Sequence, residues 1–301
     1  MAAVIHTVLA LLGAPLLLGI INRTKALIAG RTGQPLLQPY FDMVKLLRKA
    51  AVYSRTTTWL FRAGPIVGLA AMLVAITLVP LGGVAAVVAF PGDLLLFAYL
   101  LGLARYFTVL AALDTGSSFE GMGASRELTF SALAEPALLL GLAALAHQSG
   151  RLSLSAMYAT VAPLAWAQAA APLALLAAAL LVVFLAENAR IPVDDPTTHL
   201  ELTMIHEVMV LDHGGPDLAF ILYGGALKLW LLGALLVGLV VPVRSGSPWL
   251  DGAAALGGML ALAVLTGIIE SSMARLRLVR VPQLLLGAGV LSTLALVLSW
   301  R

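Results

Sequence analysis

The chemistry available to this sequence is concentrated in one short stretch. Of its 15 acidic residues, seven lie between Glu187 and Asp217: Glu187, Asp194, Asp195, Glu201, Glu207, Asp212 and Asp217. Arg190, His199, His206 and His213 stand among them. Carboxylates and histidines at this density suit charge pairing or proton exchange. A metal centre is the other chemistry they allow. His206-Glu207, however, has no histidine one turn on, and no three ligands share a compact spacing, so no metal is expected. The chain has no cysteine, which excludes disulfides, thiolate metal sites and protein-ligated iron–sulfur clusters.

The elements that must position these groups follow from composition. Of 301 residues, 61% are hydrophobic and 11% charged, and the mean hydropathy is +1.00. A soluble domain has about a quarter of its residues charged. Here residues 63–92 and 152–186 contain no Asp, Glu, Lys or Arg. A bilayer core takes about 20 such residues per helix, so the chain reads as an all-α polytopic membrane protein, one integral domain over 1–301. Eight spans are expected: about Ala3 to Ile21, Gly64 to Val88, Leu94 to Leu113, Leu128 to Ala146, Pro163 to Ala186, Leu218 to Val241, Gly252 to Ile269 and Leu284 to Trp300. The first carries no basic residue before it and no small-x-small cleavage pattern after it, so it reads as a retained span.

Eight spans put the connections at about 22–63, 114–127, 187–217 and 270–283 on one side. That side holds 13 of the 18 basic residues. The positive-inside rule makes it cytoplasmic, with both termini outside. The net charge of +3 is therefore a topology signal, and nothing resembling a nucleic-acid-binding stripe accompanies it.

Three charges fall inside the apolar stretches: Arg105, Glu135 and Lys228. Each costs roughly 2.5–3.5 kcal/mol at the centre of a span, so each must face an interior or pair. An Arg105–Glu135 salt bridge is one outcome, and a place on an ion pathway is another. In the connections, Asp195-Pro196 has the form of a helix start. His199, Thr203, His206 and Glu207 then recur on one face, which predicts an amphipathic helix ending at Gly214. Residues 39–49 form a second amphipathic stretch, with Asp42, Lys45, Arg48 and Lys49 opposite Phe41, Val44 and Leu47, and it is expected to lie in the headgroup plane. The Gly/Ser-rich connection of residues 114–127 predicts close backbone approach or an adaptable loop. It lacks the lysine of a phosphate-binding loop.

The run from Glu187 to Asp194, E-N-A-R-I-P-V-D, resembles the E-x-x-R-x-P-x-D signature of the quinone-cavity membrane subunit of respiratory complex I, the subunit 1 family. The longer run ENARIPVDDPTTHLELTMIHEVMVLD is similar to the hydrogenase branch of that family, the formate hydrogenlyase and hydrogenase-4 type of membrane subunit. Residues 30–49, 101–127 and 270–283 carry the same likeness in order. The resemblance implies an eight-helix subunit at the heel of a membrane arm, holding no cofactor itself. It would dock partners that carry nickel–iron and iron–sulfur centres, a hydrogenase large subunit-like and an iron–sulfur small subunit-like protein, on the cytoplasmic side of an inner membrane. It would also start a chain of buried charges toward antiporter-like membrane subunits. By position, Glu187, Arg190, Asp194, Glu201 and Glu207 would line or support the cavity, with His206 and Asp212 beside them. Glu120, Glu127 and Glu135 would continue the acidic path, with Arg105 and Lys228 in the membrane. Thr197 and His199 stand where complex I subunits have glutamates, and residues 212–215 replace a Glu-Tyr-Ser-Gly run. Both departures favour the hydrogenase branch over a quinone site. A quinone-cavity subunit and, from the intramembrane charges alone, a single-chain transporter are the alternatives.

Overall fold

A computed structural model describes residues 2–195 and 204–300. The described residues form eleven α-helices and two short 3-10 turns joined by irregular connections, and no strand is present among them. The long helices are α1 (Ala2–Ile28), α3 (Trp59–Ala75), α4 (Asp93–Asp114), α5 (Ser118–Ser149), α8 (Ala170–Glu187), α9 (Gly215–Val240), α10 (Pro248–Ser272) and α11 (Val281–Leu298). Between them lie α2 (Gln38–Leu47), α6 (Leu154–Ala159) and α7 (Pro163–Gln168). Seven of the described helices are long and apolar enough to cross a membrane, and α3, with 17 residues, is the short eighth. The chain is a multi-pass membrane protein.

The bundle centres on α9, whose middle is buried from Ala226 to Leu239 except at the part-buried Lys228. Around it α3 packs on α4, α5 on α11 and α8, and α1 on α10. Without a hydrophobic force between helices in lipid, such contacts depend on close approach. On α3, a Cβ added at Gly64 would lie 2.8 Å from the Ala111 side chain and 3.2 Å from the Phe107 carbonyl of α4. Gly267 of α10 meets Ile21 and Thr24 of α1 in the same way. Pro15 inside α1 has no N–H to give to the Leu11 carbonyl, and Tyr223 of α9 donates its hydroxyl there at 2.9 Å. The missing helical bond becomes a cross-link between spans.

The structure moves several expected boundaries. The second span, expected over Gly64 to Val88, is a helix that begins at Trp59 and stops at Ala75. Pro80 restrains the residue before it, and Gly82-Gly83 turns the chain inward, where a Cβ at Gly83 would sit 2.3 Å from the Asp251 carboxylate. The fifth expected span divides at Ala169 into α7 and α8. The connection over 114–127 is not a loop beyond its first residues, because α5 starts at Ser118 and carries Glu120 and Glu127 on helix. Its Gly123 serves close approach, since a Cβ there would lie 2.4 Å from Val208.

The amphipathic helix expected after Asp195 differs most. Residues 196–203, including His199, Glu201 and Thr203, lie outside the described residues. From Met204 the chain is irregular until one 3-10 turn at Glu207–Val210. The reason is Asp194: the amides of Ile205 and His206 donate to its carboxylate, at 3.2 and 3.1 Å, instead of to helix carbonyls. Helix α2 does form, with Phe41, Val44 and Leu47 exposed as its apolar face.

Asp114, the last residue of α4, caps α3 by accepting from the Thr58 amide at 2.6 Å, the Thr58 hydroxyl at 2.9 Å and the Phe61 amide at 3.3 Å. Replacing it with alanine should lower unfolding stability by about 1–2 kcal/mol, measured as a lower Tm of the purified protein in detergent.

Candidate functional site: a buried row of alternating charges

Arg105, near the middle of α4, is the hub. Its Nε donates to Glu127 at 2.9 Å, its Nη2 to both oxygens of Glu187 at 2.6 Å, and its Nη1 to Glu135. Glu127 and Glu135 lie two turns apart on one face of α5. Glu187 is the last residue of α8. Lys228 of α9 closes the other side, its Nζ 3.2 Å from Glu187 Oε2. The side chains of Arg105, Glu127 and Glu187 are each less than a tenth exposed. Charges so buried persist only when paired and hydrogen-bonded, and here each has at least two partners. The expected Arg105–Glu135 pair is present, but as one arm of a larger network.

From Glu127 the row leaves the membrane helices. His206 Nε2 lies 3.2 Å from Glu127 Oε2, and its Nδ1 lies 3.1 Å from Asp194 Oδ2. Arg275, in the connection after α10, pairs with Asp194 Oδ1 at 2.9 Å. The sequence Lys228–Glu187–Arg105–Glu127–His206–Asp194–Arg275 thus alternates acid and base along the row. Glu127, Glu187 and His206 line a cavity of about 10 Å³, the size needed for one water.

Four carboxylates face three permanent cations, and a protonated His206 makes the balance even. Burial disfavours charge on His206, yet the Glu127 charge and the Asp194 hydrogen bond outweigh it and hold its pKa above 6.5. For Asp194, burial alone would raise the pKa, the expected behaviour of a partly buried carboxylate. The hydrogen bond and charge of His206, with Arg275, hold it below 3.8 instead.

Other candidate residues fall elsewhere. Arg190, in the turn after α8, bonds not to the row but to Glu270 at 3.2 Å, and Lys25 of α1 pairs with the same carboxylate at 2.7 Å. The Leu276 amide donates to the Pro192 carbonyl at 2.9 Å. With the Arg275–Asp194 pair, these bonds tie the connection after α10 to the acidic turn. Glu120 is fully buried and accepts from the Asp212 amide at 3.0 Å, whereas Asp212 itself is exposed. Glu207 opens the 3-10 turn and is half-buried. Glu201 lies outside the described residues. Glu270, Lys25 and Arg275 are site residues that the sequence reading does not reach. Their readable signal is a glutamate in the last turns of an apolar helix, where a bare charge needs a cation.

The family model described as NADH dehydrogenase matches residues 1–300. The chain belongs to the NADH dehydrogenase family, that of complex I subunit 1. Within this family, it is 32% identical over 277 residues to formate hydrogenlyase subunit 4 of Escherichia coli K12, covering 90% of this chain and 89% of that protein. It is 34% identical over 240 residues to hydrogenase-4 component C of the same organism, covering 80% and 75%. A chain of the membrane-bound sulfane sulfur reductase, an archaeal respiratory membrane complex, superposes with a TM-score of 0.82 at 22% identity, covering 99% of this chain and 98% of that one. That last likeness is one of fold. The family resemblance read from the E-N-A-R-I-P-V-D run holds over the whole chain.

Two outcomes follow for this family member. Arg105→Gln leaves Glu127, Glu135 and Glu187 short of their shared cation and should cost about 3–5 kcal/mol; a second change, Glu187→Gln, should restore part of the lost Tm in detergent. The Asp194–His206 pair should also set a pH window. His206 has a raised folded pKa, so its contribution is full below 6.5 and is lost as pH rises through the folded value. Asp194 has a depressed one, so its contribution is full above 3.8 and is lost as pH falls through its folded value. Thermal unfolding across pH should lose its alkaline step in His206→Gln.

Proposed function

We propose that this chain is a redox-inactive membrane subunit of a complex I-like assembly of the hydrogenase type. In that reading it anchors a peripheral arm whose partners carry nickel–iron and iron–sulfur centres, and it couples their turnover to proton or sodium movement through antiporter-like membrane subunits. The full chain acts as one membrane domain in an inner membrane, with its termini on the face opposite the arm. The observation that carries the reading is the alternating row from Arg275 to Lys228, which runs from a connection outside the helices into the middle of α9. Similarity to two hydrogenase-complex subunits supports the hydrogenase type.

The mechanism uses the row as a unit. A charge change or shift in a docked redox partner alters the field at Asp194 and His206, the end of the row outside the helices. His206 sits between two carboxylates, so taking up or losing one proton changes the charge balance by one unit. Arg105 and Lys228 are fixed cations, and they pass that change on as a shift in pairing among Glu127, Glu135 and Glu187. Inside a low-dielectric bundle such pairings interact strongly.

The test is to separate redox turnover from ion movement in the whole complex. Glu127→Gln and Lys228→Met should each leave hydrogenase activity with an artificial electron acceptor unchanged. Each should abolish ion pumping into inverted membrane vesicles. Undiminished pumping in both variants would overturn the relay.

A further inference from the structure

One charge that branches from the row at Arg105 is not enclosed by this chain. Glu135 is the eighth residue of the apolar stretch Leu128 to Ala146, yet its side chain is 44% exposed, against 8% for Glu127 and 7% for Glu187. Its partner Arg105 is shared with both of those glutamates. A carboxylate facing hydrocarbon at this depth is costly.

A second acceptor lies on the same face. Pro136 stands inside α5 and has no N–H to give, so the Ala132 carbonyl lacks its helical donor. Bare backbone acceptors are not tolerated against lipid. Thr129, Ala132 and Pro136 are exposed along this line, with Ser125 above them and the exposed Leu128 and Leu139 flanking it; the small side chains open a track for another helix between the two leucines, beside the Glu135 carboxylate. On neighbouring α11, the exposed ridge of Leu286, Val290, Leu294 and Val297 carries no charge, and the exposed Thr293 beside it donates its hydroxyl to the Gly289 carbonyl within the helix, a surface that lipid tails cover at little cost. The two faces of one rim therefore ask for different neighbours.

We infer that the Thr129–Ala132–Pro136 face of α5 docks a transmembrane helix of another integral subunit, one that presents a hydrogen-bond donor to Glu135 and the Ala132 carbonyl. The two groups at the centre of the face, the Glu135 carboxylate and the Ala132 carbonyl, are acceptors, so the complement is a donor: a hydroxyl, an ammonium, a guanidinium or a protonated carboxyl. The inference rests on the reading of the chain as one subunit of a membrane assembly, and it fixes where the row passes out of this subunit.

The experiment uses the whole complex in its native membranes, with the photoreactive residue p-benzoylphenylalanine placed at Ala132 or, separately, at Val290. Irradiation should join the Ala132 variant to a second integral subunit and the Val290 variant to none. Adducts at Ala132 of lipid alone, or of a second copy of this chain, would overturn the inference. As a companion measurement, Ala132→Trp should lose a co-purifying membrane subunit that Val290→Trp retains; retention by both variants would also overturn it. If the unaltered chain purifies without any other subunit, the functional reading falls as well. Normal co-purification with no protein adduct at Ala132 rejects this face alone.

Discussion

A guanidinium buried among membrane helices must be surrounded by acceptors, and Arg105 meets that demand with three glutamates from two other helices. Much of the bundle's interior geometry follows from this requirement. The face of α5 that carries Glu127 and Glu135 must turn toward α4. The C-terminal end of α8 must reach the same depth to deliver Glu187, and α9 must bring Lys228 beside it. Glycine and proline positions serve the same end by letting spans approach or cross-link, as at Gly64 against Ala111 and at Leu11 against Tyr223. The apolar surfaces bring the helices into the membrane, and the ion pairs decide their register against one another.

The connections continue this logic in a wetter setting. Asp194 takes three backbone amides, those of Asp195, Ile205 and His206, with one imidazole and one guanidinium. That load turns the chain at Met204–His206 out of a helical path and aims His206 back at Glu127. Glu270, with Arg190 and Lys25 on either side, holds the turn from behind. The row therefore depends on residues at both ends of the sequence, and its two halves are joined by one imidazole.

The sequence made the membrane class, the spans and the acidic centre legible, because length, hydropathy and charge density are local properties. It also singled out Arg105, Glu135 and Lys228, since a charge in an apolar run stands out unaided. What it left unread was set by contacts between distant segments. The early stop of α3 depends on a turn packed against Asp251, the early start of α5 on a glycine, Gly123, that fits under Val208, and the broken path before Glu207 on a carboxylate 11 residues back. The pairing of Arg190 with Glu270 across 80 residues has no local sign at all.

The alternation of the row carries a consequence for how such a protein can change over generations. Every interior member holds a partner on each side, so a single replacement strands a neighbour, and the loss is felt before any new pairing can form. Substitutions along it should be tolerated in matched sets: the loss of Lys228 with a change at Glu187, or a new group at 206 with changes at 127 and 194. Inheritance should then act on the row as one character rather than as separate residues.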